Sequence, residues 1–384
     1  MKNRNLILAS AGHFVIDSFA GFFPIYIAMR DLNLLKAGAI STAASLVANV
    51  LQPVFGFMSD RVSRKLVLCT ALILGPVFMS LIGRTGEVWV LGALVVAGQL
   101  MVSLFHPAAT DMSTAAEGEE RSHLRFSVFT TVGTVGFSLS GIIFYRFCIA
   151  FGTANSFFLA IPGLFAAALL FLFTTDKKTG HAPPSRSALF RVLRENGGFI
   201  TVLYTLTVIR AAIQVVIGYA LPSLYKEWGY DAKLWAVPNF IFICSGAVSM
   251  LLCGMFEKRI NPVRLIFYSM ILSVPFFLLF LYAGAKGSAF SFLLVGIVGF
   301  INAASFPANV VMGQNRMPDF AGTVSGLLMG AGWGLASLAP LFVSAVAALD
   351  LFPAHYGKLL PGMAIIGLLP LSGAWISRRL SRQK

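Results

Sequence analysis

The chain has 384 residues, of which 57% are hydrophobic and 11% are charged. Soluble domains carry about 25% charged residues, so this composition excludes an ordinary soluble protein and indicates a lipid environment. The formal net charge is +14. Nucleic-acid binding is nevertheless not expected, because no basic face is built on a soluble domain.

Twelve apolar stretches are long enough to cross a bilayer as helices. One crossing takes about 20 mostly apolar residues. We predict spans 1 to 12, in chain order, near residues 6–28, 38–58, 66–84, 88–112, 125–147, 153–175, 199–222, 233–255, 263–284, 288–313, 321–347 and 358–377. This pattern predicts an all-α membrane protein.

The longest polar interruption divides these spans into two sets of six. It predicts an N-terminal six-helix bundle at 1–175, a cytoplasmic linker at 176–198 and a C-terminal six-helix bundle at 199–384. Within the linker, Ser187–Glu195 has the pattern of a short amphipathic helix. Phe105–Ala108 in span 4 resembles Ser305–Ala308 in span 10, about 200 residues later. This similarity predicts two pseudo-symmetric bundles, a known transporter plan.

The basic residues are distributed unevenly across the membrane. About 20 of the 29 Lys and Arg lie in the segments on the side of the N-terminus, about 8 lie in the other loops, and Arg210 lies in span 7. Cytoplasmic segments carry such an excess, and basic segments near the inner leaflet contact anionic lipids. We therefore expect a multi-pass protein of a bacterial inner membrane with both termini in the cytoplasm.

The loop after span 2 reads GFMSDRVSRK from Gly56 to Lys65. It resembles the G-x-x-x-D-R-x-G-R-R/K signature of the major facilitator superfamily, with Ser63 where glycine is usual. The resemblance implies a cytoplasmic gate that favours the outward-open state. The candidate gating residues are Gly56, Asp60, Arg61 and Arg64, and also Asp111, which we expect near this basic loop. The alternative is a tight basic loop without a gating role.

Within that superfamily, the chain is most similar to the fosmidomycin-resistance-type efflux proteins. The segments that carry this similarity are HFVID and GFFP between His13 and Pro24, LFHPAA in span 4, and the glycine-rich start of span 5. Two features depart from many drug/proton antiporters, because span 4 has no arginine and span 5 lacks the usual proline. The resemblance implies a monomeric, proton-coupled transporter.

The resemblance also implies that spans 1, 4, 7 and 10 line a central cavity. Polar residues recur on these spans at a helical spacing of three or four. The candidate substrate-binding residues are Phe14, Gln99, Arg210, Gln214, Asn302 and Asn309. Such stripes also bond neighbouring helices, and span 2 carries one as well, so both interpretations stay open.

Three titratable residues lie in the apolar stretches of spans 1 and 4. A charge at bilayer depth costs several kcal/mol, so His13, Asp17 and His106 indicate a wet cavity or a proton path. At about 1.5 Å rise per residue, Asp17 and Arg210 both fall near mid-membrane, where they are able to pair when the cavity is empty. We predict Asp17 as the proton carrier, with His106 and His13 as relays. The alternative is a static strut with interhelical hydrogen bonds.

The sequence contains no cluster typical of an enzyme and no phosphate-binding glycine loop with lysine. The four cysteines have no metal-ligand spacing, and we expect neither a cofactor nor a metal. The sequence predicts a secondary active transporter that moves a small organic compound by alternating access, most simply proton-coupled efflux of a drug or metabolite. Proton-coupled uptake, lipid flipping and a non-transporting membrane sensor remain open.

Overall fold

The computed structural model describes residues 2–114, 119–174, 186–256, 259–317, 324, 327–351, 353 and 356–380. Twelve segments of this part of the chain are helical, long enough and apolar enough to cross a membrane. The predicted all-α fold with twelve spans is therefore confirmed. The proposed bundle boundary stays a prediction, because residues 175–185 lie outside the described part.

The helices follow the predicted order closely. The first six spans comprise Lys2–Ala20 with Phe22–Arg30, Leu34–Arg61, Arg64–Leu81, Val88–Thr114, Glu119–Phe151, and Thr153–Ala160 with Ile161–Phe173. A short helix at Arg186–Glu195 confirms the predicted linker helix. The last six spans comprise Gly197–Glu227, Val237–Met255, Pro262–Ala285, Phe290–Ala304 with Phe306–Arg316, Leu327–Ala331 with Gly332–Ala336 and Ala339–Ala347, and Leu360–Ser377.

Two of the expected cavity spans are interrupted at polar or small residues. Span 1 breaks at Gly21, where a Cβ would meet the hydroxyl of Ser140 in span 5. Span 10 breaks at Ser305, and Pro307 stands in the first turn of the helix that follows. Proline tolerates a first helical turn but disrupts a helix interior, because it has no N–H and its ring clashes with the preceding turn. Glycine and proline thus interrupt these two helices near the centre of the bundle.

Among the described residues, the apolar cluster that the two sets of spans share lies towards one end of the bundle. We call the end with Lys2 and Ser377 proximal and the opposite end distal. The largest cluster lies towards the distal end and joins residues of both sets, including Phe22, Phe144, Tyr225 and Phe280. Two smaller clusters lie towards the proximal end, and each belongs to one set. The two sets therefore pack tightly together distally and have separate cores proximally.

Polar contacts between the two sets reinforce the distal end. The ammonium of Lys226 lies 2.6 Å from Asp31 and donates to the carbonyl of Ala28 at 2.9 Å. The hydroxyl of Tyr219 lies 2.9 Å from the carbonyl oxygen of Leu34. We call Asp31, Tyr219 and Lys226 the distal contact. The hydrogen bonds described between the two sets lie between this end and mid-membrane, so the structure is closed distally.

Candidate functional site

His13, Asp17 and His106 meet as a compact cluster between spans 1 and 4. Nε2 of His13 lies 3.1 Å from Oδ2 of Asp17 and 3.2 Å from Nε2 of His106. Nε2 of His106 lies 3.6 Å from Oδ1 of Asp17. His13 and Asp17 share a helix face because they are four residues apart. The structure thus brings together all three residues that the sequence predicted for proton coupling.

Backbone groups and an aromatic ring hold the two imidazoles in place. Nδ1 of His13 lies 2.9 Å from the carbonyl oxygen of Phe129 in span 5, and the two rings stack at 4.1 Å. Nδ1 of His106 lies 2.7 Å from the carbonyl oxygen of Val102, one turn earlier in span 4. Gly133 allows this packing, because a Cβ there would collide with the His13 ring. Both Nε2 atoms are consequently directed at each other and at Asp17.

The cluster is buried, but its three members differ in exposure. The side chain of His13 is 5% exposed and that of Asp17 is 14% exposed. The side chain of His106 is 29% exposed. His106 is therefore the most exposed member of the cluster. The three residues also form the one group of possible metal ligands found among the described residues, with ligand atoms within 4.8 Å of one another.

Arg210 lies at the middle of span 7 and is almost completely buried. Its guanidinium carbon lies 4.0 Å from the ring centroid of Phe306, the residue after the break in span 10. Nε and Nη2 are buried and have no hydrogen-bond partner. The suggested pairing of Asp17 with Arg210 is not formed in this structure, because Asp17 pairs with His13 at 3.1 Å and lies beside His106, both in its own set. Similar depth in the membrane did not bring the two charges together.

The other predicted substrate-binding residues have mixed environments. The amide of Gln99 donates to the carbonyl of Ala20 at 3.2 Å, and that of Asn302 to the carbonyl of Arg210 at 3.5 Å. The amide of Asn309 donates to the carbonyl of Leu203 and to Thr207. These bonds join spans 1 with 4 and 7 with 10. Gln214 and Phe14 are half-buried, and the binding role of the whole set stays a prediction.

The predicted gating residues lie at the proximal ends of spans 2, 3 and 4. Gly56, Asp60 and Arg61 belong to the last turns of the span 2 helix, and Asp111 belongs to the span 4 helix. The side chains of these four residues lie outside the described part of the chain. Arg64 begins the span 3 helix, and Ser63 caps it by accepting the N–H of Leu66 at 3.3 Å. Serine in place of the usual glycine therefore stabilises a helix N-terminus, and the gating roles stay predictions.

Sequence reasoning did not identify the distal contact. Tyr219 and Lys226 lie two turns apart on span 7, where Tyr219 stands between Gly218 and Ala220 and Lys226 is followed by Glu227, and Asp31 lies almost 200 residues away. The spacing of seven puts Tyr219 and Lys226 on one face of a cavity helix, and this was the available sequence signal for a polar contact. The spacing does not reveal that Asp31 is the partner of Lys226.

Comparisons with known proteins agree with this architecture. The family model of the Major Facilitator Superfamily matches residues 6–340. The chain is 25% identical to the fosmidomycin resistance protein of Escherichia coli (strain K12) over 336 residues, which cover 85% of this chain and 80% of that protein.

Two solved structures show the same fold. A bacterial homologue of the human lysosomal transporter Spinster, inward-facing and occupied, gives a TM-score of 0.76 at 13% identity, over 99% of this chain and 96% of that chain. A D-xylose-proton symporter gives a TM-score of 0.73 at 14% identity, over 96% of each chain. At these identities the similarity shows the fold alone. Together with the family match, the twelve spans make the protein a multi-pass membrane transporter and not an enzyme, and the chain belongs to the Major Facilitator Superfamily.

Proposed function

We propose that this transporter exports a small organic compound by proton-coupled alternating access. It works as a monomer in a bacterial inner membrane, with the proximal end in the cytoplasm. The observation that carries the proposal is the placement of buried ionisable groups: His13, Asp17 and His106 in the first set of spans, and Arg210 in the second. Charges buried at bilayer depth are costly and mark transport pathways.

The division of the core supports alternating access. One apolar cluster joins the two sets distally, whereas each set keeps its own cluster proximally. Packed interfaces have discrete arrangements, so two rigid sets change access by rocking rather than by gradual deformation. The opposite state requires the distal contact to break and a proximal contact to form, for which Asp60, Arg61, Arg64 and Asp111 are the candidate residues.

The cluster in the first set supports proton coupling. Asp17 lies beside two imidazoles, and an imidazole in water changes its protonation in the physiological pH range. Loading or releasing a proton changes the net charge of a buried group of atoms. The cluster therefore holds the proton with different strength in a conformation where water reaches His106 and in one where it does not. This difference is what couples proton binding to the conformational change.

Arg210 supports binding of a compound that carries an oxyanion. Nε–H and Nη2–H project in parallel from one edge of a guanidinium, and these are the two nitrogens that lack partners. This edge matches the two oxygens of a carboxylate, phosphonate or sulfonate. Phe306 covers one face of the guanidinium, and Gln214 lies one turn along the same helix. A buried arginine without a counter-ion is costly, and an anionic substrate removes that cost.

Export is favoured by the similarity to a protein of Escherichia coli that is named for fosmidomycin resistance. The test is accumulation in proteoliposomes under an imposed pH gradient. A panel of small aromatic carboxylates and phosphonates is offered, each beside its neutral amide. The proposal expects an anion to move against its own gradient when protons flow the other way, and the movement to stop with a proton ionophore. Movement in the same direction as protons indicates uptake, and accumulation against the compound's own gradient without a proton gradient contradicts coupling.

A further inference from the structure

The hydrogen-bond partners of the two imidazoles fix how many protons the cluster holds. A backbone carbonyl only accepts hydrogen bonds. The Nδ1 atoms of His13 and His106 each face such a carbonyl, at 2.9 Å and 2.7 Å, so each carries a hydrogen. A neutral ring then has only a lone pair on Nε2. The two Nε2 atoms are 3.2 Å apart, and two lone pairs at this distance repel. The contact requires one proton between them.

The position of Asp17 indicates which ring holds this proton. A proton on Nε2 of His13 points to Oδ2 of Asp17 at 3.1 Å and to Nε2 of His106 at 3.2 Å, so one hydrogen serves both contacts. A proton on His106 meets Asp17 only at 3.6 Å, beyond hydrogen-bond length. A proton on Asp17 leaves the two imidazole lone pairs facing each other. The arrangement with a charged His13 and an ionised Asp17 satisfies the most contacts.

A second proton is disfavoured by the same geometry. It would place two charged rings 3.2 Å apart beside a single carboxylate, with a net positive charge in a buried site. Like charges at this distance, away from water, oppose each other strongly. With one proton the cluster is electrically neutral, which suits its burial.

We infer, on the basis of the proposed proton coupling, that the carried proton resides on His13, enters and leaves through His106, and leaves Asp17 ionised throughout. In the exchange step the Nε2–H bond of His13 breaks and an Nε2–H bond forms on His106. Both Nδ1–H groups remain in place. His106 then releases the proton to cavity water, because its side chain is 29% exposed against 5% for His13.

The other charged side chains that the structure describes on the helices around the cluster lie away from it. Span 1 carries Arg4 more than two turns away, and span 3 begins with Arg64 and Lys65 at the proximal end. Arg125 of span 5 donates its Nε–H to the carbonyl of Ser113 at 2.7 Å. The Ile161–Phe173 helix of span 6 has no charged residue. Asp111 of span 4 has a side chain outside the described part, and Arg210 makes no described ion pair. Among the charged side chains that the structure describes, Asp17 and His106 are therefore the ones that set the charge balance at His13.

The test is nitrogen-15 NMR of histidine-labelled protein in nanodiscs, without substrate or gradient and in chelator-treated buffer. The sequence has five histidines, so the triple variant His123→Gln, His181→Gln and His355→Gln leaves two labelled rings. At neutral pH we expect one charged ring, which disappears in His13→Gln, and one neutral ring protonated on Nδ1. In Asp17→Asn we expect His13 to hold its proton at least about tenfold more weakly, because its counter-ion is lost.

One further variant separates the roles of the two rings, and a second variant is its control. His106→Gln is expected to leave His13 charged but to slow its proton exchange with water by about tenfold or more, because the exchange path is longer. Ser18→Ala is the matched control, since its hydroxyl bonds only to Phe14 one turn earlier, and its spectrum should match that of the native protein.

Several results would overturn the inference. They are no charged ring or two charged rings in the triple variant, a charged ring that persists in His13→Gln, a protonated Asp17 carboxyl in carbon-13 spectra, or a metal-bound signature that added chelator removes. The triple variant changes no residue of the cluster, so the count of charged rings stands even where His13→Gln or Asp17→Asn fails to fold. A charged His13 in a protein that moves no compound would contradict the proposed function only. Coupled transport with a neutral His13 would contradict this inference only.

Discussion

Replacing Lys226 with methionine should open the distal end of the transporter. Methionine keeps a flexible side chain of similar length but removes the charge and all three N–H donors. The variant therefore loses the ion pair with Asp31 at 2.6 Å and the hydrogen bond to the carbonyl of Ala28 at 2.9 Å. Both contacts join the two sets of spans in the distally closed state.

The structure sets the size of the effect. The side chains of Lys226 and Asp31 are 27% and 85% exposed, so solvent screens the ion pair and it contributes about 0.5 kcal/mol. The partly buried hydrogen bond from the ammonium contributes about 1 kcal/mol, at the low end for a charged donor. The closed state should lose about 1–2 kcal/mol in total, which shifts the ratio of closed to open protein by about 5- to 30-fold.

Distance measurements between spin labels test this shift. Glu87 and Lys286 are exposed residues at the distal ends of different sets, and labels there on a cysteine-free protein report distal opening. Lys226→Met should add a population at longer distance. Lys233→Met is the matched control, because Lys233 pairs at 3.2 Å with Asp231 of the same loop. An unchanged distribution in Lys226→Met, or an equal change in Lys233→Met, would refute the assigned role.

Three further substitutions follow from the same contacts. Arg210→Lys keeps the charge but loses the parallel pair of donors, so an aromatic carboxylate should bind about tenfold more weakly by calorimetry; unchanged affinity would contradict the oxyanion site. Gly133→Ala should displace the His13 ring, cost about 1–3 kcal/mol and reduce proton uptake, whereas Gly218→Ala, with open space around it, should fold and transport normally. Tyr219→Phe should weaken distal closure by about 1 kcal/mol, seen with the same spin labels, and an unaffected closed population would argue against it.

Much of the fold was predictable because the membrane imposes simple constraints. Backbone groups in lipid must pair within helices, so length and hydropathy identify the spans. The linker helix at Arg186–Glu195 was predictable from its apolar periodicity and its position between polar segments. The break at Ser305 follows from Pro307, which the sequence marks as a point of bending in span 10.

The partners within the site were only partly predictable. Depth along the membrane is predicted by residue counting, which puts Asp17 and Arg210 at similar depth. The direction in which each side chain points around its helix depends on packing between distant spans. Asp17 therefore meets His106 of span 4, which sequence spacing does not reveal, instead of Arg210 at similar depth. The carbonyl of Phe129 is equally invisible in the sequence, although it fixes the His13 ring.

Proton movement coupled to transport is measured with a pH-sensitive dye inside proteoliposomes. The panel of aromatic carboxylates and phosphonates is added to native protein and to Asp17→Asn, with no imposed gradient. Proton-coupled transport predicts a pH change inside the vesicles for at least one compound, with native protein only. Transport of a compound without any pH change, or an equal pH change with Asp17→Asn, would contradict it.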